Sequence, residues 1–136
     1  TETVAWCRAR DLAPVLTTLA WQPVGDYLCE RFGFAGASGP RLDVIEGRYS
    51  GEVAEHFDEA GKRDFALAVA AGLGVGPARC AAVGDSRSDL PLFAAVGLAI
   101  AFNATPAARS AAHAEAEGGD LRAVVPVLTA WLDTSR

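Results

Sequence analysis

Several features are scarce in this chain, and each scarcity argues against a class of protein. Its 136 residues contain no apolar run that approaches the ~20 residues needed to cross a bilayer, and the first residues lack the apolar core of a signal peptide. Positive charge is also limited, because the chain has 12 Lys and Arg but 17 Asp and Glu, which gives a formal net charge of −5. We therefore expect a protein that neither spans a membrane nor binds a nucleic-acid backbone.

Cysteine and histidine are few as well. The three cysteines, Cys7, Cys29 and Cys80, are odd in number and form no CxxC pair. This usage favours reduced thiols in a cytoplasmic protein. A catalytic Cys–His pair stays open as an alternative through His56 or His113, although no local nucleophile signature supports it.

Short apolar segments alternate with segments of helical periodicity along the chain. The length favours one domain, and the alternation predicts an α/β fold whose open, mostly parallel sheet carries helices on both faces. A β-hairpin with a Glu46–Gly47 turn is expected within residues 42–53. Strands are expected at 14–19, 78–83 and 98–102, and helices at 2–10, 23–34, 61–73, 88–96, 106–112 and 121–132.

The stretch CAAVGDSRSDLPLF, residues 80–93, joins a buried strand to two carboxylates. Asp85 follows the strand and Asp89 lies one helical turn onward, so both can face a cleft at the strand's carboxyl end, where open α/β folds bind ligands. Mg²⁺ suits such a site because it takes a few carboxylates, keeps several waters and accepts phosphate oxygens. The spacing alone equally allows a structural role, in which Asp85 caps a turn and Asp89 favours a helix N-terminus.

Two further positions carry groups that could bind a phosphate. Lys62 follows a glycine at the start of a predicted helix, and it is either a solvated lysine or a cation delivered to a phosphate. Thr17 and Thr18 end a predicted strand, where a hydroxyl could donate to a phosphate oxygen. Their β-branched shape alone also suits a strand, so both interpretations stay open.

Together these segments resemble the haloacid dehalogenase (HAD) superfamily, and within it phosphatases like phosphoserine phosphatase. AAVGDSRSDLPLFAAVGLAIAFNATPA is similar to the family's fourth motif and the strand that follows it. GKRDFAL is similar to the third motif, with Lys62 23 positions before Asp85, and PVLTTLAW to the second, in which Thr18 is the better aligned hydroxyl. RLDVIEGRYSGEV resembles the hairpin region between the second and third motifs, so the likeness covers nearly the whole chain.

The resemblance implies a Rossmann-like, three-layer HAD core over residues 1–136 and the chemistry of a Mg²⁺-dependent phosphatase. In this family an aspartate attacks phosphorus and forms an aspartyl-phosphate, while Mg²⁺ holds the phosphate and neutralises its charge. Asp85 would be a direct metal ligand, and Asp89 a ligand or the partner of one. Lys62 would bind phosphate and shield charge between carboxylates, and Thr18 would donate a hydrogen bond to the transferring phosphoryl group.

The residues between the two aspartates depart from the family pattern. Small residues and an Asn are common there, whereas this chain has Ser86, Arg87 and Ser88. Ser88 replaces a side chain able to assist phosphate or metal binding. Arg87 adds a cation near the cleft mouth, as either a solvated side chain or a contact for a substrate anion. All three are candidate phosphate- or substrate-binding residues.

The family's first motif, an Asp-x-Asp pair on the central strand that supplies the nucleophile and the general acid/base, is not found in this sequence. We therefore expect no nucleophile in this chain, and expect the central strand and the cap that follows it to be absent. Three explanations stay open: a fragment that carries motifs two to four, a sheet completed by another chain or a swapped copy, or a natural non-catalytic relative. The remaining early aspartates stand in the wrong context: Asp11, Asp26, Asp43, Asp58 and Asp64.

Two classes of function follow from these expectations. The first is a phosphatase acting on a phosphorylated small molecule, whose identity is not predicted because the cap largely selects it in this family. The second is a binding or scaffold protein that keeps the fold without turnover. Another doubly wound module, such as a response regulator, explains the alternation of elements but not Lys62, Asp85 and Asp89 together.

Overall fold

A computed structural model describes residues 1–135 of the chain. These residues form two compact units, Thr1–Phe65 and the residues from Ala66 onward, and the boundary falls inside a helix. Within residues 1–135, no helix combines the length and the apolar character that a bilayer crossing requires.

Two helices open the first unit. Helix α1 spans Glu2–Arg8 and helix α2 spans Gln22–Phe32, so each ends two residues before its predicted end. Helix α2 has a proline in its first turn and ends at Gly33. The left-handed φ of 84° at Gly33 lets its N–H donate to the Cys29 carbonyl, which ends the helix.

The prediction of a regular strand at 14–19 is wrong. The segment is extended, but it makes only an isolated parallel bridge, between Leu16 and Ala37. Leu16 donates one backbone hydrogen bond to the facing segment and accepts one from it, at 2.9 and 3.0 Å. Beyond that point the Ser38 side chain replaces the backbone as the partner of Thr18, so no regular ladder continues.

The predicted hairpin is confirmed. Strand β1 (Arg41–Ile45) pairs with strand β2 (Arg48–Glu55) in antiparallel register. The turn residues Glu46 and Gly47 have φ values of 50° and 77°. Two successive positive φ values are the signature of the type I′ turn, whose twist matches that of the paired strands.

The second unit contains the parallel sheet that the sequence predicts. Strands β3, β4 and β5 lie side by side in that order, and both pairs are parallel. The sheet and its helices confirm the predicted α/β fold class with a parallel sheet. The elements after the hairpin are α3 (Glu59–Gly72), β3 (Ala81–Gly84), α4 (Leu90–Phe93), β4 (Leu98–Phe102), α5 (Pro106–Ala111), β5 (Ala114–Ala116) and α6 (Val125–Thr134).

Some boundaries in this unit differ from the prediction. Strand β5 is absent from the prediction because three residues, Ala-Glu-Ala, carry no β-branched or aromatic signal. The predicted strand at 78–83 begins instead as the 3-10 turn Pro77–Arg79. Single 3-10 turns, Arg87–Asp89 and Leu121–Val124, also precede α4 and α6, as is frequent at helix termini.

The core of the second unit is built largely from alanine. Its largest fully buried side chains are Phe93, Ile100 and Val124. Small side chains allow β4 to be covered closely, and Leu98, Ala99, Ile100 and Ala101 of that strand are all buried. The main cluster consists of Ala82, Leu92, Phe93, Ala99, Ala101, Ala104 and Ala108.

Candidate functional site

Asp85 lies immediately after strand β3, at the carboxyl end of the parallel sheet. Its side chain is exposed. It forms no hydrogen bond or ion pair with any residue from 1 to 135. Its backbone carbonyl accepts a hydrogen bond of 2.9 Å from the Thr105 N–H, which follows strand β4. The carboxylate is thus held at the sheet edge by its backbone while its oxygens stay available to a ligand.

Asp89 closes the loop that Asp85 opens. It is 6% exposed, and its Oδ2 accepts hydrogen bonds from the N–H groups of Asp85 at 2.9 Å and Ser86 at 3.3 Å. The Ser86 side chain in turn accepts from the Asp89 N–H, which completes a capping box. This carboxylate satisfies two backbone donors that would otherwise have no partner, and it thereby shapes the loop that presents Asp85.

The residues between the two aspartates form one short turn. The hydroxyls of Ser86 and Ser88 lie 3.5 Å apart, and both side chains are half-buried. Arg87 is exposed and makes no ion pair within the described part of the chain. The turn therefore places two hydroxyls and one guanidinium next to the Asp85 carboxylate in sequence, all of them groups that bind anionic oxygens.

Thr18 lies in the first unit, at the end of the extended segment. Its Oγ1 accepts a hydrogen bond of 3.0 Å from the Ala20 N–H. A hydroxyl has one hydrogen to donate, and no acceptor within residues 1–135 takes the hydrogen of Thr18. This hydroxyl can therefore donate to a bound oxygen without breaking an existing contact.

Lys62 lies near the start of helix α3, in the same unit as Thr18. It is the only lysine of the chain and is 6% exposed, so the solvated lysine that the sequence allowed is wrong. Lysines are rarely buried to this degree unless their charge is paired or hydrogen-bonded. The helix start is capped by Asp58, whose Oδ1 accepts from the Gly61 N–H at 2.8 Å.

Ser38 is a polar residue of this region that the sequence analysis missed. It is 2% exposed, and its hydroxyl contacts both the N–H and the carbonyl of Thr18. A lone serine in the Gly-, Ser- and Pro-rich segment at 35–40 carries no motif signal. The contact joins residues 20 positions apart, so only the tertiary structure reveals it.

The structure brings Asp85, Ser86, Ser88 and Asp89 together in one loop, and it joins Thr18 to Ser38. That Thr18 and Lys62 serve the same phosphate as Asp85 stays a prediction.

The donor set at Asp85 fits a magnesium ion that is only partly held by protein. Within residues 1–135 no three Asp, Glu, His or Cys side chains are grouped closely enough to hold a metal ion by themselves. Mg²⁺ commonly takes one or two carboxylates and completes its shell with water and phosphate oxygens. An exposed carboxylate that has no partner among residues 1–135, at the end of a parallel strand, matches that requirement.

The alternative of a catalytic Cys–His pair gains no support. All three cysteines are free thiols, and burial raises the pKa of Cys7, Cys29 and Cys80 above the ordinary value, which disfavours the reactive thiolate. The Nδ1 of His113 accepts a hydrogen bond of 2.8 Å from the Ala99 N–H, so this imidazole is engaged at the start of β4.

Comparison with known proteins adds a second line of evidence. The family model for haloacid dehalogenase-like hydrolases matches residues 1–94. A phosphoserine phosphatase of Streptomyces coelicolor is 37% identical over 115 residues, which cover 77% of this chain and 28% of that protein. A phosphoserine phosphatase of Albidiferax ferrireducens is 32% identical over 125 residues, covering 88% of this chain and 53% of that protein.

A solved phosphatase structure shares this fold. The crystal structure of a probable phosphoserine phosphatase from Vibrio cholerae superposes with a TM-score of 0.89 and 28% sequence identity. The superposition covers 98% of this chain and 42% of that one. The chain therefore spans between 28% and 53% of the length of these relatives.

Proposed function

Because the chain belongs to the haloacid dehalogenase-like hydrolase family, we propose that it supplies the metal- and phosphate-binding part of a phosphatase acting on a phosphorylated small molecule. The loop after β3 carries this proposal. It pairs an exposed carboxylate at Asp85 with a buried one at Asp89 that holds the loop backbone. The similarity to proteins named phosphoserine phosphatases supports a phosphomonoester as the class of substrate.

The two aspartates take different roles in this proposal. Asp85 is the protein ligand of Mg²⁺, because its oxygens have no partner among residues 1–135. Asp89 acts mainly as the anchor of the loop, because its Oδ2 already accepts two backbone hydrogen bonds. When bound, the ion would neutralise phosphate charge and orient the phosphoryl group.

The remaining residues bind and orient the phosphate. Lys62 contributes a cation whose burial strengthens its attraction for an anion. Thr18 donates its hydroxyl hydrogen to a phosphoryl oxygen. The turn residues Ser86, Arg87 and Ser88 contact substrate oxygens at the exposed side of the loop.

The attacking carboxylate comes, in this proposal, from outside the 136 residues, because the sequence has no Asp-x-Asp pair. A preceding segment of a longer protein or another chain could bring it. The same absence favours one alternative, a non-catalytic protein that binds phosphate or metal without turnover. The cytoplasm remains the predicted location, and nucleic acid remains an unexpected partner.

The metal assignment is tested by calorimetric titration of the chain with Mg²⁺ in the presence of inorganic phosphate. We expect Asp85→Asn to lose the metal-dependent heat, because the amide keeps the shape of the side chain and removes its charge. Asp133→Asn is the matched control, since it makes the same change at an exposed position of helix α6. Equal heats for wild type and Asp85→Asn would refute the assignment.

The role of Lys62 in phosphate binding can be tested separately by NMR. Lys62 is the only lysine, so its side-chain amine gives a single lysine signal in an NMR spectrum. Phosphate should shift that signal in the wild type, and Lys62→Gln should weaken phosphate binding. A lysine signal that stays unchanged at saturating phosphate would remove Lys62 from the proposed site.

A further inference from the structure

Ser38 makes two hydrogen bonds that the proposed chemistry does not use. Its Oγ accepts from the Thr18 N–H at 3.0 Å and donates to the Thr18 carbonyl at 3.3 Å. The side chain is 2% exposed, so water cannot replace these partners easily. A single buried hydroxyl thus binds both polar backbone groups of one residue, the residue whose hydroxyl is proposed to bind phosphate.

The segment that carries Ser38 is itself held in place. The Gln22 N–H donates to the Pro40 carbonyl at 2.9 Å, and the Gln22 Nε2 donates to the Ala37 carbonyl at 3.2 Å. A Cβ at Gly25 would lie 2.8 Å from the Ala37 Cβ, so helix α2 packs closely against this segment. Ser38 is therefore a fixed point for Thr18.

The Thr18 side chain has a second restraint of its own. Its Oγ1 accepts from the Ala20 N–H at 3.0 Å, which selects one rotamer. Ser38 holds the Thr18 backbone and the Ala20 N–H holds the Thr18 rotamer. The hydroxyl hydrogen is then the one part of Thr18 that can still rotate. This arrangement pre-organises a donor, because little side-chain freedom remains to be lost when an oxygen binds.

We infer that Ser38 is a positioning residue for phosphate binding, which acts by fixing the Thr18 backbone so that the Thr18 hydroxyl is aimed before the ligand arrives. This inference rests on the proposed function for the role of Thr18. The underlying contact between Ser38 and Thr18 can be tested without any ligand. The inference gives Ser38 a function, although the segment around it carries no recognisable motif.

The experiment compares Ser38→Ala, Thr18→Ala and the double variant in the 136-residue chain. Three-bond couplings that report the Thr18 χ1 angle and the hydrogen-exchange rate of the Ala20 amide measure positioning. Calorimetric titration with inorganic phosphate in the presence of Mg²⁺ measures its consequence. We expect Ser38→Ala to average the Thr18 χ1 angle, to speed Ala20 exchange and to weaken phosphate binding roughly fivefold, about the value of one hydrogen bond.

The double variant separates positioning from general damage. If Ser38 acts through the Thr18 hydroxyl, Ser38→Ala should weaken phosphate binding no further in the Thr18→Ala background. Additive losses would overturn the inference. Ser50→Ala is the matched control, because Ser50 also donates one hydrogen bond and accepts one, but on the exposed hairpin. It should leave both readouts unchanged.

Two further outcomes are decisive. An unchanged Thr18 χ1 angle and an unchanged Ala20 exchange rate in Ser38→Ala would overturn the positioning role, whatever the effect on phosphate binding. A wild-type chain that binds no phosphate would instead overturn the proposed function, while the couplings would still decide whether Ser38 fixes Thr18. Where Ser38→Ala does not fold, Ser38→Cys keeps a side chain of similar shape with weaker hydrogen bonding and should show the same effects to a lesser degree.

Discussion

Gly84, the last residue of β3, packs closely against the loop that follows the strand. A Cβ placed there would overlap the carboxyl group of Asp89 and lie 2.6 Å from the Asp89 Cβ. The buried carboxylate that holds the Asp85 and Ser86 N–H groups can occupy its place only because residue 84 has no side chain. The glycine before Asp85 is thus part of the loop's construction, in addition to ending the strand.

At the residue scale we predict that Gly84→Ala destabilises the chain by about 1–3 kcal/mol, because an inserted methyl must displace a packed carboxyl group. Urea denaturation measures the change. Gly72→Ala in helix α3 is the control, since a methyl group added there would meet nothing within 4 Å and alanine favours a helix. The control should be neutral or stabilising by up to about 1 kcal/mol. Equal stability of the wild type and Gly84→Ala would contradict the described packing.

At the element scale, the start of the last helix depends on one capping carboxylate. Asp120 accepts from the Arg122 N–H at 2.8 Å and pairs with the Arg122 guanidinium at 2.7 Å, at the head of the turn that precedes α6. The side-chain hydrogen bonds from Arg122, followed by its backbone N–H, lower the pKa of Asp120 from 3.8 to about 2. The charged carboxylate is therefore the form that the folded chain stabilises.

The sign of this shift predicts a pH dependence. A carboxyl group with a lowered folded-state pKa adds stability above its unfolded pKa of 3.8 and loses it as the pH falls towards about 2. The stability difference between the wild type and Asp120→Asn should shrink across that interval, as followed by thermal unfolding. Asn can still cap the turn, so the comparison isolates the charge. Because the pair is exposed, added salt should also reduce the difference. A difference that is as large near pH 2 as at neutral pH would contradict the assignment.

Elements with strong local signals were predicted from sequence, and elements that depend on distant partners were not. Strand β4 was predicted with its correct bounds, Leu98–Phe102, because a continuous apolar run in a parallel sheet is buried on both faces. The hairpin turn was predicted because Glu46–Gly47 separates two strand-like runs. Residues 14–19 carry a strand signal in their β-branched residues, yet their regular pairing stops where Ser38 intervenes.

At the scale of the whole molecule, we predict binding without turnover. The 136-residue chain should release no phosphate from p-nitrophenyl phosphate or phosphoserine in the presence of Mg²⁺, because it holds no Asp-x-Asp pair. Mg²⁺ and inorganic phosphate together should still raise its melting temperature, since a ligand that binds only the folded state stabilises it by mass action. Phosphate release that disappears in Asp85→Asn would show that the chain carries its own nucleophile.

The sequence by itself determined the α/β class, the hairpin, the helices and the stretch of residues around Asp85, because these depend on periodicity, turn residues and spacing within short segments. Only the tertiary structure decided that Asp89 is buried and anchors the loop, that Lys62 is buried, and that Ser38 binds the Thr18 backbone. Burial arises from packing against residues that are distant in sequence, as does the contact between Ser38 and Thr18. It also depends on the space left by one missing Cβ, as at Gly84. No local pattern encodes the burial of Lys62 or the contact between Ser38 and Thr18, so these roles emerge only once the chain is folded.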